Sequence, residues 1–130
     1  MPLVDPAEPI TRYIFSSSHF SAQNNRVKHN AFMPSSGEVS VFRTDRLPKP
    51  EIWAIGQGIS TQRGQQLHAR GDLLSNDVLS LSLTVVPSEP PPRHANITGW
   101  PNEKDLIKLR AMELAEKATL RLPALAGGTR

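Results

Sequence analysis

Apolar and polar positions alternate along several short stretches of this chain, and two other stretches change to a helical spacing. The clearest alternation covers positions 79–86, where Leu79, Leu81, Leu83 and Val85 interleave with Ser80, Ser82, Thr84 and Val86, the two-residue period of a half-buried strand. A second strand is predicted over 38–43, after the turn signal Pro34-Ser35-Ser36-Gly37, with Val39, Val41 and Arg43 on one face and Ser40 and Phe42 on the other. A third is predicted over 10–15, where Ile10, Tyr13, Ile14 and Phe15 supply β-forming side chains around Thr11 and Arg12. The Ser- and Asn-rich segment 16–30 reads as loop, with a short strand allowed over 26–33, and Leu120 to Leu122 adds an edge strand.

Helical spacing is strongest near the C-terminus. Ile107, Ala111, Leu114, Ala115 and Ala118 recur on one face, Asn102 stands where a cap would, with Asp105 three residues on, and Glu113 and Lys117 form a four-residue charge pair. A shorter helix is expected to begin near Pro50, ahead of Glu51, Ile52, Trp53 and Ile55, and to stop at Gly56 and Gly58, because glycine costs about 1 kcal/mol inside a helix. Positions 72–78 fit either a helical turn capped by Asp72 or a loop. These elements predict an α+β fold in which a small antiparallel sheet is packed by one long C-terminal helix and one short helix. The apolar stripe of the long helix is expected against the Leu79, Leu81, Leu83 and Val85 face. One domain over 10–122 is expected, with tails at 1–9 and 123–130.

Composition removes several chemistries. The 130 residues include no cysteine, which excludes disulfides, thiolate metal clusters and a cysteine nucleophile. His19, His29, His68 and His94 stand far apart, so neither a metal nor any other cofactor is expected. Gly56-Gln57-Gly58 lacks the third glycine and the strand–helix context of a dinucleotide fold. The first residues carry neither the basic start nor the apolar run of a secretory signal, and no stretch is long enough for a membrane span, so a cytoplasmic location without membrane contact is expected. The net charge of +3 is modest, and its basic residues are spread rather than clustered, unlike a nucleic-acid footprint. Aromatic content of 5% is low for a single-strand stacking platform.

The segment 90–101, PPPRHANITGWP, carries the most unusual chemistry. A stiff proline run and a helix start flank Arg93, a fixed positive charge, His94, a titratable donor or acceptor, and Trp100, a flat face for stacking. Arg43 at a strand end and Arg70 beside His68 and Asp72 could join them in a cleft for an anion, since guanidinium groups fork onto phosphate oxygens. The bland alternative is that Arg43 and Arg70 pair with Asp45, Asp72 or other surface carboxylates, that Trp100 plugs the core, and that Arg93 and His94 tie the loop to carbonyls. A Ser18-His19 dyad is weighed and set aside as a serine-rich turn.

Two functional classes fit. The first is an interaction module, an accessory subunit or inhibitor-like domain with a protein partner, in which the Arg93-His94 loop recognises an anionic group of a ligand or nucleic acid. The second is a phosphoesterase or phosphoryl or nucleotidyl transferase with a His-Arg site. Convergence of Arg43, Arg70, Arg93 and His94 in one pocket would favour the enzyme.

Overall fold

The structure, a computed structural model, describes residues 4–123. In chain order the elements are β1 (Pro9–Ile14), β2 (Phe20–Ser21), β3 (Arg26–Val27), β4 (Val39–Arg43), α1 (Lys49–Arg63), β5 (Ala69–Leu74), α2 (Ser75–Leu79), β6 (Thr84–Pro87), β7 (His94–Thr98), α3 (Lys104–Lys117) and β8 (Thr119–Arg121), with 3-10 turns at Ser17–His19 and His29–Phe32. Six strands form one antiparallel sheet in the order β6-β7-β4-β1-β5-β8, and β2 and β3 pair as a separate ribbon. The fold is α+β, with an antiparallel sheet and a C-terminal helix as the pattern indicated.

Strand periodicity gives the sheet two unlike faces. Ile10 and Ile14 of β1, Val39 and Val41 of β4, Ala69 and Leu73 of β5, Ala95 and Ile97 of β7 and Val85 of β6 are buried together on the inner face. Ala111, Leu114 and Ala115 of α3 close this core, and Phe32 from the second 3-10 turn fills its centre. The other face carries Thr11, Tyr13, Phe42, Arg70 and Asp72, which pair laterally as Thr11 with Phe42, Thr11 with Asp72 and Tyr13 with Arg70. A smaller apolar cluster of Tyr13, Phe42, Ile52 and Leu67 joins that face to α1.

Several sequence expectations need correction. The 79–86 stretch is extended only from Thr84. Leu79 ends α2, and the next amides are consumed locally, Leu81 N–H donating to Val78 O and Ser82 N–H to Leu79 O, while Ser82 takes a φ of 62°. Leu81, Leu83 and Val85 reach the core all the same, but Leu79 faces solvent, and α3 packs chiefly on the His29–Phe32 turn. Asp72 lies within β5 and caps nothing; Asp77 accepts the Leu74 amide at the head of α2. Asn102 is not the cap of α3, since the helix begins at Lys104 after Glu103, and Glu113 pairs with Arg110 at 2.7 Å rather than with Lys117. The strand allowed over 26–33 is the two-residue β3 followed by a 3-10 turn. Residues 4–9, expected as tail, include buried Val4 and the start of β1, and of the expected C-terminal tail 124–130 lie outside the described residues.

The helix expected to stop at Gly56 and Gly58 runs the full 15 residues to Arg63 and ends at Gly64, whose φ of 66° is the left-handed cap that glycine accepts most readily. The two glycines serve different surroundings. A Cβ on Gly56 would stand 2.7 Å from the Tyr13 ring and 2.8 Å from a Leu67 methyl, whereas a Cβ on Gly58 would meet nothing within 4 Å. Tertiary packing therefore outweighs helix propensity at Gly56, and Gly58 retains its propensity cost. Gly56→Ala is expected to lower stability by about 1–3 kcal/mol through overpacking, and Gly58→Ala to raise it by about 0.5–1 kcal/mol. Leu114→Ala is expected to cost about 2–5 kcal/mol as a core truncation. Urea denaturation of the three variants checks all of these, and equal midpoints for the two glycine variants would refute the close seating of α1.

Candidate functional site

Helix α1 covers the centre of the outer sheet face and leaves a depression along each flank. Its seam of Ile52 and Gly56 rests on Tyr13, and the Tyr13 hydroxyl donates to the Ile52 carbonyl. Burial pushes the Tyr13 hydroxyl well above the usual phenol range, so it remains a protonated donor. At 100° per residue Glu51, Ile55, Gly58, Ile59 and Gln62 fall on one flank of this seam and Lys49 and Trp53 on the other. The first flank faces β4 and the proline loop, and the second faces β5 and β8.

The first depression is a groove of about 440 Å³ lined by Phe42, Leu47, Ile55, Ile59, Pro91 and Pro92, with Glu51, Gln62 and Arg93 at its margin. Its proline wall is held by short links. The Glu89 carboxylate accepts the Arg93 amide at 2.7 Å, and Ser88 N–H donates to His94 O at 2.9 Å. Arg93 has a φ of 69°, unusual for a residue with a side chain, and its Nη1 donates to the carbonyls of Arg43 at 3.2 Å and Asp45 at 3.4 Å. Arg43 is engaged elsewhere: its guanidinium forks onto Glu8 at 2.7 and 3.1 Å, and this hydrogen bonding raises its pKa further. Trp100 packs against the inner core and donates Nε1–H to Ile97 O at 3.0 Å.

His94 lies on β7 against the Phe42 ring, at 5.3 Å between centroids. Its Nδ1 stands 2.8 Å from the Ser88 carbonyl, which can only accept, so Nδ1 donates there, and Nε2 shares a 2.7 Å hydrogen bond with the Ser40 hydroxyl. A serine hydroxyl on an oriented imidazole is two-thirds of a nucleophilic constellation. The pair lines neither groove, however, and its contacts run from Ser40 of β4 through His94 of β7 to the Ser88 carbonyl, so the arrangement ties β4 to β7 and the proline loop. Sequence reasoning weighed Ser18-His19 and missed this pair, which only the β4–β7 register brings together.

The second depression, about 350 Å³, is lined by Asn25, Lys49, Trp53, Arg70, Leu120, Arg121 and Leu122. Arg70 is 3% exposed, and its guanidinium lies 4.7 Å from the Trp53 ring centre, a cation–π contact. Its Nη2 is 3.4 Å from Asp72 Oδ2, and that carboxylate also faces Arg121 Nε at 3.6 Å and accepts the Thr11 hydroxyl. The Nε and Nη1 of Arg70 have no hydrogen-bond partner among the described residues.

Arg43, Arg93 and His94 thus sit near one another around β4 and β7, Arg70 stands across β1 on the far flank of α1, and Trp100 belongs to the inner core. Trp53, Lys49 and Arg121 went unnoticed in the sequence; each comes from a different stretch and only sheet order joins them. Among the described residues no group of three His, Asp or Glu side chains could hold a metal ion, and no helix is long and apolar enough to cross a membrane. No family model matches the chain, and neither a curated protein nor a solved structure does. If Ser40 and His94 are a tether, Ser40→Ala costs about 0.5–1.5 kcal/mol of stability and a serine-directed fluorophosphonate leaves the protein unlabelled. Stoichiometric labelling of Ser40, read by mass spectrometry, would contradict that role.

Proposed function

We propose that this domain is a protein-interaction module whose recognition surface is the groove between α1 and the Pro91-Pro92 wall. One observation carries this reading: an apolar floor of Phe42, Leu47, Ile55 and Ile59 open at the surface within a margin of Glu51, Gln62 and Arg93. Apolar pockets inside a polar rim are where a few buried anchor side chains supply most of an interface's energy. Rigidity supports the reading too. The proline wall and the helix are both anchored before any partner arrives, which lowers the ordering cost of association.

The fitting occupant is a peptide segment with a bulky apolar anchor followed by an acidic residue, because Arg93 is the cation at the margin. The separation of Arg70 from Arg93 and His94 weighs against the His-Arg phosphoesterase or transferase, which needs them in one pocket. A peptide library displayed on phage and selected against the whole protein tests the proposal. Selected peptides are expected to share an apolar anchor beside Asp or Glu. Their affinity is expected to fall about tenfold or more on Ile59→Asp, the scale of one lost anchor, and less on Arg93→Ala. Met112→Asp, on the exposed side of α3, is the control and leaves affinity unchanged. Peptides that bind Ile59→Asp as well as the wild type, with both proteins melting alike, would overturn the proposal.

A further inference from the structure

We infer that the pocket between the start of α1 and β8 binds the phosphate group of a small phosphate monoester, with Arg70 as its principal ligand. The inference is independent of the apolar groove, since the two lie on opposite flanks of α1.

Arg70 is the first reason. A guanidinium carries its charge at all physiological pH values, and taking it out of water costs several kcal/mol unless its donors are met. Here the side chain is 3% exposed, two of its three nitrogens have no partner among the described residues, and the third is only at ion-pair distance from Asp72. Arg12 and Arg43, on neighbouring strands, show the usual solution. Arg12 gives Nε to Ala31 O at 2.8 Å and Nη1 to Ser40 O at 2.9 Å, and Arg43 forks onto Glu8. Arg70 has neither arrangement: its two unmet nitrogens are buried in the wall of the pocket, and its guanidinium lies 4.7 Å from the Trp53 ring centre. Unmet donors held at fixed orientation are what binding an oxyanion uses.

Charge selects among anions. Arg70, Lys49 and Arg121 line the pocket, and among the described residues Asp72 is the one carboxylate paired with them, which leaves two positive charges in excess there. A phosphate monoester carries about −1.5 to −2 at neutral pH and offers three acceptor oxygens, so it balances that excess; a carboxylate or a phosphodiester supplies one negative charge. Asn25 at the mouth adds an amide donor. The volume of about 350 Å³ admits the group attached to the phosphate, with Leu120 and Leu122 as an apolar wall for it. The pocket is a concavity around one buried arginine, not a basic stripe, which argues against a nucleic-acid backbone.

The test uses the full chain labelled with nitrogen-15 and titrated with phenyl phosphate, methyl phenyl phosphate and benzoate, following the arginine Nε–H signals by NMR. Phenyl phosphate is expected to shift the Arg70 Nε–H signal and to bind about tenfold or more tightly than the diester or benzoate, a difference worth about 1.4 kcal/mol. Arg70→Met should abolish the response and, by removing an unmatched buried charge, should melt at or above the wild-type temperature in phosphate-free buffer. Should Arg70→Met fail to fold, the Lys49→Gln/Arg121→Gln double variant, altered only at exposed rim positions, is expected to lose affinity by a similar factor with its melting intact. An Arg70 signal that phenyl phosphate leaves unmoved, or equal affinity for benzoate or the diester, would overturn the inference.

Discussion

The contact between Gly56 and Tyr13 positions everything on the outer face of the sheet. With no side chain at Gly56, α1 settles onto the phenol ring so closely that a methyl group would clash, and the ring hydroxyl reaches up to the Ile52 carbonyl. Phe42 supports the ring from the neighbouring strand at 5.7 Å between centroids. The helix axis is thereby fixed over β1, the third strand from the β8 edge, and the face is divided into an apolar flank toward β4 and a basic flank toward β5 and β8. Neither depression would keep its lining if the helix rode higher on the sheet.

Three arginines on this sheet show how position decides the role of one residue type. Arg12 crosses the inner face and meets carbonyls, and burial lowers its pKa to about 10, still far above neutrality. Arg43 meets a carboxylate that is itself almost buried, so it fastens the entry of β1 to β4. Arg70 is as buried as a core leucine yet meets only an aromatic face and, through Nη2 at 3.4 Å, the Asp72 carboxylate. The first two hold the fold together; the third is a cost that the fold carries beside the pocket lined by Lys49, Trp53 and Arg121. Local rules are broken most readily where a site requires it.

The sequence was legible wherever inward positions were large and aliphatic. Strands β1 and β4 could be found because β-branched side chains mark their period, and α3 because Ile107 and Leu114 recur with alanines on one face. Strand β5 was hidden, since its inner positions are Ala69, Gly71 and Leu73 and its outer ones include Arg70 and Asp72, so no alternation of large apolar residues marks it. Gly71 is small for a reason that only packing reveals: a Cβ there would press on Val27 at 3.2 Å. Leu81, Leu83 and Val85 are buried as the alternation indicated, but Leu79 is exposed and the run is extended only from Thr84, because a left-handed Ser82 delivers Leu81 and Leu83 to the core from a turn. Arg70 was visible as a candidate, but its surroundings were not, because Lys49, Trp53 and Arg121 come from distant stretches joined by the pairing of Arg70 with Arg121 and by the seat of α1.

The seating of α1 on β1 is the claim from which both functional readings descend, and native-state hydrogen exchange measures it directly. If Gly56 and Tyr13 lock the two elements together, the amides of α1 around Ile55 to Ile59 exchange only through the same opening that frees the amides of β1, at the same free energy. Exchange of those helix amides through a separate opening at clearly lower free energy, with β1 still protected, would mean that α1 lifts off on its own and that the grooves beside it are not fixed features of the fold.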